Sequence, residues 1–333
     1  FVMRDIPDSV EGIMAVFTEA AHTMQMGGGI GFDFSSIRPR GTLVQSLDCG
    51  ASGPLPAMDI CDKVGAMFAP GMRRGAMMAT MRVDHPDIFD FIEAKSDPAR
   101  FRNFNLSVLI SDAFMAAETK RADWPLTWKG QVIKTVPARA LWETIMRQTY
   151  AVAEPGVLFI DRINDKNPLR YLEQISATNS CAEQPLPPNG ACPLASVNLS
   201  RLVENPFQPD AQFDAPALWN LTGVAVRMLD NVIDLSRFAI PEQRQEVLSK
   251  RRIGIGVTGV ANALAMLNVR YGSERAVRLV EGWMQTIQNA AYMASANLAS
   301  ERGMFPLYNA SRHLNQPALQ ALDPAVRDAI AKY

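Results

Sequence analysis

Cysteine and histidine are both scarce in this chain, four and three in 333 residues. Cys49, Cys61, Cys181 and Cys192 are too few and too unevenly placed for a disulfide framework, which points to a reducing, cytoplasmic setting. His22, His85 and His313 have no metal-ligand spacing with one another or with a cysteine, so no metal site is expected. Neither sign of charge prevails, with 33 basic against 34 acidic residues and a net charge of -1. Without a Lys/Arg run to track a phosphate backbone, neither nucleic acid nor a membrane surface is an expected partner. Long apolar runs are missing as well. The longest uncharged stretch, Ile253 to Val269, is broken by glycines, Thr258 and Asn262, and falls short of the roughly 20 residues of a membrane helix. No basic segment followed by an apolar one opens the chain, so no signal peptide is expected. The first residue is Phe1 and not Met, which suggests a piece of a longer protein.

What is present is ample material for a core, 48% hydrophobic residues, in a length that allows one large domain or two small ones. Asp8-Ser9-Val10-Glu11 has the form of a capping box, and Ile13, Phe17, Ala20, Ala21 and Met24 follow at helical spacing. A helix is predicted from about Asp8 to Met26, ended by Gly27, Gly28, Gly29 and Gly31, with a strand over Ile30 to Phe34. Pro86 suits the first residue of a short helix, Phe104 to Ile110 alternates like a strand, and Leu141, Ile145 and Thr149 mark another helix before an apolar stretch at Val157 to Ile160. Leu218, Leu221, Ala225, Met228 and Val232 predict a helix packed on one face. A long helix is expected from Ser273 to Gly303 with Val277, Val280, Trp283, Ile287 and Leu298 inward. This alternation predicts an α/β architecture with a largely parallel sheet or barrel, in one incomplete domain over residues 1–333.

Several segments could carry chemistry. Gly254-Ile255-Gly256-Val257-Thr258-Gly259 matches a dinucleotide pattern, with Glu274 near the distance of a ribose acid. The preceding Gln243 to Arg252 is too charged for the strand that must feed such a turn, so a glycine turn allowing close helix packing is the preferred reading over a dehydrogenase site. Gly27 to Gly31 follows a helix and reads as close backbone packing. Gly71-Met72-Arg73-Arg74-Gly75 places two guanidiniums between glycines, suited to a phosphate or a base, or simply to a solvated loop. The densest segment is Thr178 to Cys192. In an extended chain Asn179, Cys181 and Glu183 would present an amide, a thiol and a carboxylate on one side, and the prolines with Asn189-Gly190 favour a turn bringing Cys192 beside Cys181. Cys49 and Cys61 read as ordinary small apolar residues.

At this segment the sequence resembles the large catalytic subunit of ribonucleotide reductases, most closely the adenosylcobalamin-dependent class II enzymes. The shared stretches are MGGGIGFDFSSIRPRG from Met26, GMRRGAMMATMRVDHPDI from Gly71, FNLSV from Phe104, EPGVLFIDRIN from Glu154, NSCAEQPLPPNGACPLASVNL from Asn179 and KRRIGIGVTGVANAL from Lys250. The resemblance implies a ten-stranded α/β barrel with a central finger loop, here about residues 178–199. The barrel would be incomplete, with effector-site elements in about residues 1–110 and the later strands and C-terminus absent. It implies that Cys181 is the thiyl radical site that takes the 3′ hydrogen of the ribose. Glu183 would be the base on the 3′ hydroxyl, Asn179 a substrate ligand that orients Glu183, and Ser107 a further substrate-binding residue. Cys192 would be one of two redox cysteines whose partner in the family lies directly before the segment matching Phe1-Val2-Met3. Asp8, Ser9, Arg38, Gly41, Gly71, Arg73, Arg74 and Gly75 would belong to a dNTP specificity site formed across a homodimer interface. Ser180, Ala182 and Pro193 stand where the family more often has other residues, which touches only local backbone geometry. The expected function is reduction of ribonucleoside di- or triphosphates to deoxyribonucleotides, with adenosylcobalamin as cofactor and a thioredoxin- or glutaredoxin-type reductant. The alternatives are a class I large subunit needing a radical-generating partner and a dNTP-sensing, dimerising piece without activity of its own.

Overall fold

The computed structural model describes residues 1–44, 48–67 and 75–333. It groups them into two compact units, where the sequence suggests a single partial domain. The first unit comprises Phe1–Ala191 and Phe238–Gln243, the second Cys192–Arg237 and Arg244–Tyr333.

In the first unit, α1 (Val10–Gln25) leads through the glycines into β1 (Ile30–Asp33). Its N-cap is Ser9, whose hydroxyl accepts from Gly12 N at 3.0 Å, so the capping expected to open at Asp8 is set one residue later. The expected strand to Phe34 is shorter, because Asp33 accepts from Ser35 N and turns Phe34–Ser36 into a 3-10 helix. A small antiparallel pair, β2 (Leu43–Val44) and β3 (Cys49–Gly50), precedes α2 (Pro54–Met67). Next come β4 (Met77–Arg82), α3 (Ile88–Ile92), β5 (Phe104–Ile110) and α4 (Asp112–Thr119). The hairpin β6 (Asp123–Trp128) and β7 (Gln131–Pro137) then leads into α5 (Ala138–Val152), β8 (Gly156–Phe159) and α6 (Ile160–Lys166). The unit ends in the two-residue strands β9 (Ala177–Thr178) and β10 (Pro185–Leu186), paired antiparallel.

Strands β1, β4, β5 and β8 form a four-stranded sheet in that order, every pairing parallel. Parallel sheets are covered on both faces, and β4 is accordingly buried from Met77 through Met81. Phe32 is fully buried, with Phe17, Phe34 and Phe104 at ring-centroid distances of 6.1, 5.6 and 6.2 Å. Phe1–Met3 run alongside β1: Val2 bridges Gly31, and Val2 N donates to Gly190 O at 2.9 Å.

The second unit is built on the parallel pair β11 (Leu194–Asn198) and β14 (Gly254–Thr258), in register from Leu194↔Gly254 to Asn198↔Thr258. Between them lie the short pair β12 (Val203–Glu204) and β13 (Gln212–Phe213), then α7 (Ala215–Leu235) and α8 (Pro241–Lys250), the first three residues of which are grouped with the first unit. After β14 follow α9 (Val260–Met266), the 29-residue α10 (Glu274–Arg302), and the short α11 (Ala310–Leu314), α12 (Pro317–Gln320) and α13 (Pro324–Lys332). Val197, Leu199, Leu218, Leu264, Trp283 and Ile287 make the core, with Phe213 stacked on Trp283 at 4.5 Å.

Two expectations are corrected here. The Gly254–Gly259 pattern is not a turn: Gly254 and Gly256 lie inside β14, and only Gly259, at φ 73°, turns the chain into α9. The buried face of α7 is Leu218, Thr222, Ala225, Val226, Leu229 and Ile233, whereas Leu221, Met228 and Val232 are exposed. The helix is apolar on more than one side, so spacing alone could not choose the packed face. On α10 the same happens at Val277, which is exposed while Ala276 beside it is buried.

Among the described residues no barrel closes and no helix is long and apolar enough to cross a membrane. The fold is mixed α/β with parallel strands, as an incomplete barrel requires. Phe32→Ala should destabilise the first unit by about 3–5 kcal/mol, the cost of an unfilled aromatic site. Denaturant unfolding of the two proteins measures it.

Candidate active site

The hairpin of β9 and β10 carries the Asn179–Gln184 loop at its tip. The extended geometry expected there is not what forms. Asn179 N donates to Gln184 O at 3.0 Å, Ala182 N donates to Asn179 O at 3.2 Å, and Ala182 sits at φ 73°. Asn179 Oδ1 accepts from Gln184 N at 3.0 Å, so this side chain closes the loop with one end of its amide. Asn179, Cys181 and Glu183 are therefore carried on a tight turn and not on an extended strand. Cys181 and Glu183 are both exposed, and Ser180 Oγ lies 3.8 Å from Cys181 Sγ.

The sheet holds this hairpin from below. Thr80, buried in β4, places its hydroxyl 3.0 Å from Ser176 O and 3.1 Å from Phe32 O. A Cβ on Gly31 would come within 1.8 Å of Thr178 O, and one on Gly29 within 2.6 Å of Ser180 Oγ. The close packing read from the glycine cluster is present, and its partner is the segment that bears the cysteine. Asn105, on β5, donates from Nδ2 to Ser180 O at 2.7 Å. Ser107 lies two residues further on, so it shares Asn105's face of the strand. It is buried and pairs in register with Thr80 and Gly156. Sequence reasoning did not single out Asn105 or Thr80. The signal available for Asn105 was its period-two relation to Ser107 inside FNLSV.

Cys192 opens the second unit. It is partly buried, and burial pushes its thiol up to about 11, against a smaller opposing pull from the Arg252 guanidinium. Its Sγ donates to Pro193 O at 3.6 Å. Cys61 is fully buried in the first unit's core, and desolvation raises its thiol well above the ordinary range. Cys49 is exposed.

The residues expected at an effector site fall into three groups. Asp8 and Arg38 are joined: Arg38 Nε lies 3.0 and 2.9 Å from the two carboxylate oxygens, Arg38 N donates to Oδ1 at 3.1 Å, and Arg38 Nη2 donates to Asp8 O at 2.9 Å. Ser9 adjoins this pair and caps α1, and Gly41 is exposed at φ 82°. The 37–42 segment between them is strapped from outside. His85 Nε2 lies 3.0 Å from Ile37 O, Asp87 Oδ2 accepts from Arg40 N at 2.8 Å, and Asp90 pairs with Arg40 at 2.8 Å. Burial lowers the His85 pKa, which keeps the ring neutral as a single donor toward Ile37. Gly75 is buried against α2, where a Cβ would meet Gly65 O at 2.9 Å. Gly71, Arg73 and Arg74 lie outside the described residues.

Comparison with known proteins bears on this arrangement. The family described as "Ribonucleotide reductase, barrel domain" matches residues 1–322. Two relatives named vitamin B12-dependent ribonucleoside-diphosphate reductase are similar over 92% of the chain. The one from Mycobacterium tuberculosis is 42% identical and that from Thermoplasma acidophilum 37%, and the match covers 44% and 40% of their lengths. A ribonucleoside-diphosphate reductase large chain from Neurospora crassa is 28% identical over 91% of the chain and 36% of its own length. The chain thus spans less than half of the relatives it matches. With its parallel strands and its cysteine-bearing hairpin, it belongs to the ribonucleotide reductase family and corresponds to that family's barrel domain.

Proposed function

We propose that this chain is the barrel portion of a class II ribonucleotide reductase, in which a thiyl radical on Cys181 initiates reduction of a ribonucleoside di- or triphosphate. The observation that carries the reading is the hairpin-tip loop, which presents an exposed thiol flanked in the sequence by Asn179 and Glu183 and is braced by the parallel sheet. The greater identity to relatives named vitamin B12-dependent, 42% and 37% against 28%, favours class II over a class I large subunit.

The chemistry assigns one task to each group. The Cys181 thiyl takes the 3′ hydrogen, becoming a thiol and leaving a carbon radical on the sugar. Glu183 accepts the 3′ hydroxyl proton, which helps expel the 2′ hydroxyl. Asn179, already closing the loop with Oδ1, offers its Nδ2 hydrogens to the substrate. The departing hydroxyl needs a proton to leave as water, and the sugar needs two electrons. A cysteine pair that becomes a disulfide supplies them, with Cys192 as one member. A thiol held up to about 11 remains protonated at neutral pH, which suits a group that must deliver a proton. Cys181 finally returns hydrogen to C3′ and is again a thiyl. A thioredoxin- or glutaredoxin-type protein reduces the disulfide.

Adenosylcobalamin would supply the initiating radical when bound. The exposed thiol at the loop tip fits such an origin, since a radical generated outside the loop can reach it without crossing protein. Asp8, Ser9, Arg38 and Gly41, with Gly71, Arg73, Arg74 and Gly75, are assigned to dNTP effector recognition. The Asp8–Arg38 pair beside the N-terminus of α1 places hydrogen-bonding groups where an anionic ligand is favoured. A homodimer would complete that site. Val10 and Met14 on α1, with Ile60 and Met67 on α2, leave exposed apolar side chains on two adjacent helices.

In the full-length protein supplied with adenosylcobalamin and a dithiol, Cys181→Ser should abolish ribonucleotide reduction. Persistent activity in the mutant overturns the mechanism, and activity without the cofactor overturns the class. Alkylation of Cys192, followed by mass spectrometry across pH, should rise toward a midpoint near 11 instead of the ordinary 9. Calorimetry with dTTP or dATP should show binding to Asp8→Ala weakened by about tenfold, the loss of one hydrogen bond to a charged group. Equal affinity removes Asp8 from the site.

A further inference from the structure

We infer that Asn105 is a positioning residue for the radical cysteine, and that its side-chain amide sets where Cys181 stands above the sheet. The inference rests on the reading of Cys181 as the radical carrier and extends it to a residue that no comparison assigns.

The cysteine-bearing hairpin is tied down at successive points. Ser176 is held through Thr80 on β4, Thr178 O lies over Gly31 on β1, and Ser180 Oγ fills the space above Gly29. These contacts advance along the hairpin toward its tip, and the last of them is Asn105 Nδ2 to Ser180 O at 2.7 Å. Ser180 immediately precedes Cys181. Beyond it the loop is tied to itself, through Asn179 to Ala182 and Gln184. The Asn105 bond is therefore the point where the rigidity of the parallel sheet is handed to the residue bearing the thiol.

Position and chemistry both suit that role. β5 is an inner strand: Asn105 pairs in register with Met78 of β4, and the pairing with β8 begins two residues on at Ser107, so Asn105 rises from a backbone with little freedom. Its side chain is exposed, unlike its strand neighbours Phe104 and Leu106. Packing therefore does not account for an amide there. Holding a carbonyl requires a donor, and of the two ends of the amide the one directed at Ser180 is the nitrogen. An Asp would match the shape but present an acceptor to an acceptor. Hydrogen abstraction is steeply sensitive to placement, because a misplacement of about 1 Å can cost on the order of a hundredfold in rate.

The test uses Asn105→Ala and Asn105→Asp in the full-length protein, with Cys181→Ser alongside. Both Asn105 variants should lose kcat by about tenfold or more, with KM within about twofold of the parent, because substrate binding is left intact while the reacting thiol is displaced. Independently of turnover, iodoacetamide labelling of the reduced protein should show a changed rate at Cys181 in Asn105→Ala, with the Cys49 rate unchanged. If kcat stays within about twofold of the parent and Cys181 labels at the parent rate, the inference is overturned. A rise in KM at unchanged kcat also overturns it, making Asn105 a substrate ligand. If Asn105→Ala does not fold, the near-isosteric Asp variant decides by the same kcat and KM criteria. Activity surviving in Cys181→Ser would instead overturn the underlying reading of the cysteine, and so separates the two failures.

Discussion

Where Thr178 passes over Gly31 there is no room for a side chain. A Cβ at that position would stand 1.8 Å from the Thr178 carbonyl oxygen, a distance no adjustment of a rotamer relieves. Only glycine lets the hairpin lie directly on the edge strand of the parallel sheet. Much of what makes the first unit usable follows from this contact. Thr80 can then reach Ser176 O, Ser180 can settle over Gly29, and Asn105 can reach the carbonyl beside Cys181. The sheet thus acts as a rigid base for a loop that is itself short and polar.

The two cysteines proposed for chemistry differ in their surroundings. Cys181 is exposed at a loop tip. Cys192 is partly withdrawn from solvent, and its thiol is held up to about 11. Cys61 shows the limiting case, fully buried among apolar side chains, where a thiol behaves as a small hydrophobe. Burial sets Cys61 apart from the other three, but it does not distinguish Cys181 from Cys49, which is also exposed. In the elements proposed for effector recognition, Asp8 and Arg38 hold each other while His85, Asp87 and Asp90 fix the segment after Ile37 from a different part of the chain.

Much of the fold was legible from residue spacing. The helices at Val10–Gln25, Ala138–Val152 and Glu274–Arg302 and the strand at Phe104–Ile110 follow from period and capping signals that are local in sequence. The failures share one cause. Which face of α7 is buried depends on what packs against it, and Leu221, Met228 and Val232 are as apolar as the residues that won. Gly254 and Gly256 look like a turn until a parallel partner, β11, makes them a strand.

For the candidate site the sequence determined identity: Asn, Cys and Glu at alternate positions, a glycine cluster, and motifs specific enough to name a family. It could not determine the conformation of the segment that bears them. An extended strand and a tight turn both suit Asn179–Glu183 in composition, and only hydrogen bonds between Asn179 and residues up to Gln184 select the turn. Nor could it connect Asn105 with Ser180, which lie 75 residues apart in the chain. Local residue types limit what a segment can do. The tertiary structure decides which distant donor meets which carbonyl, because that depends on the register of the sheet and on where glycine allows two backbones to touch.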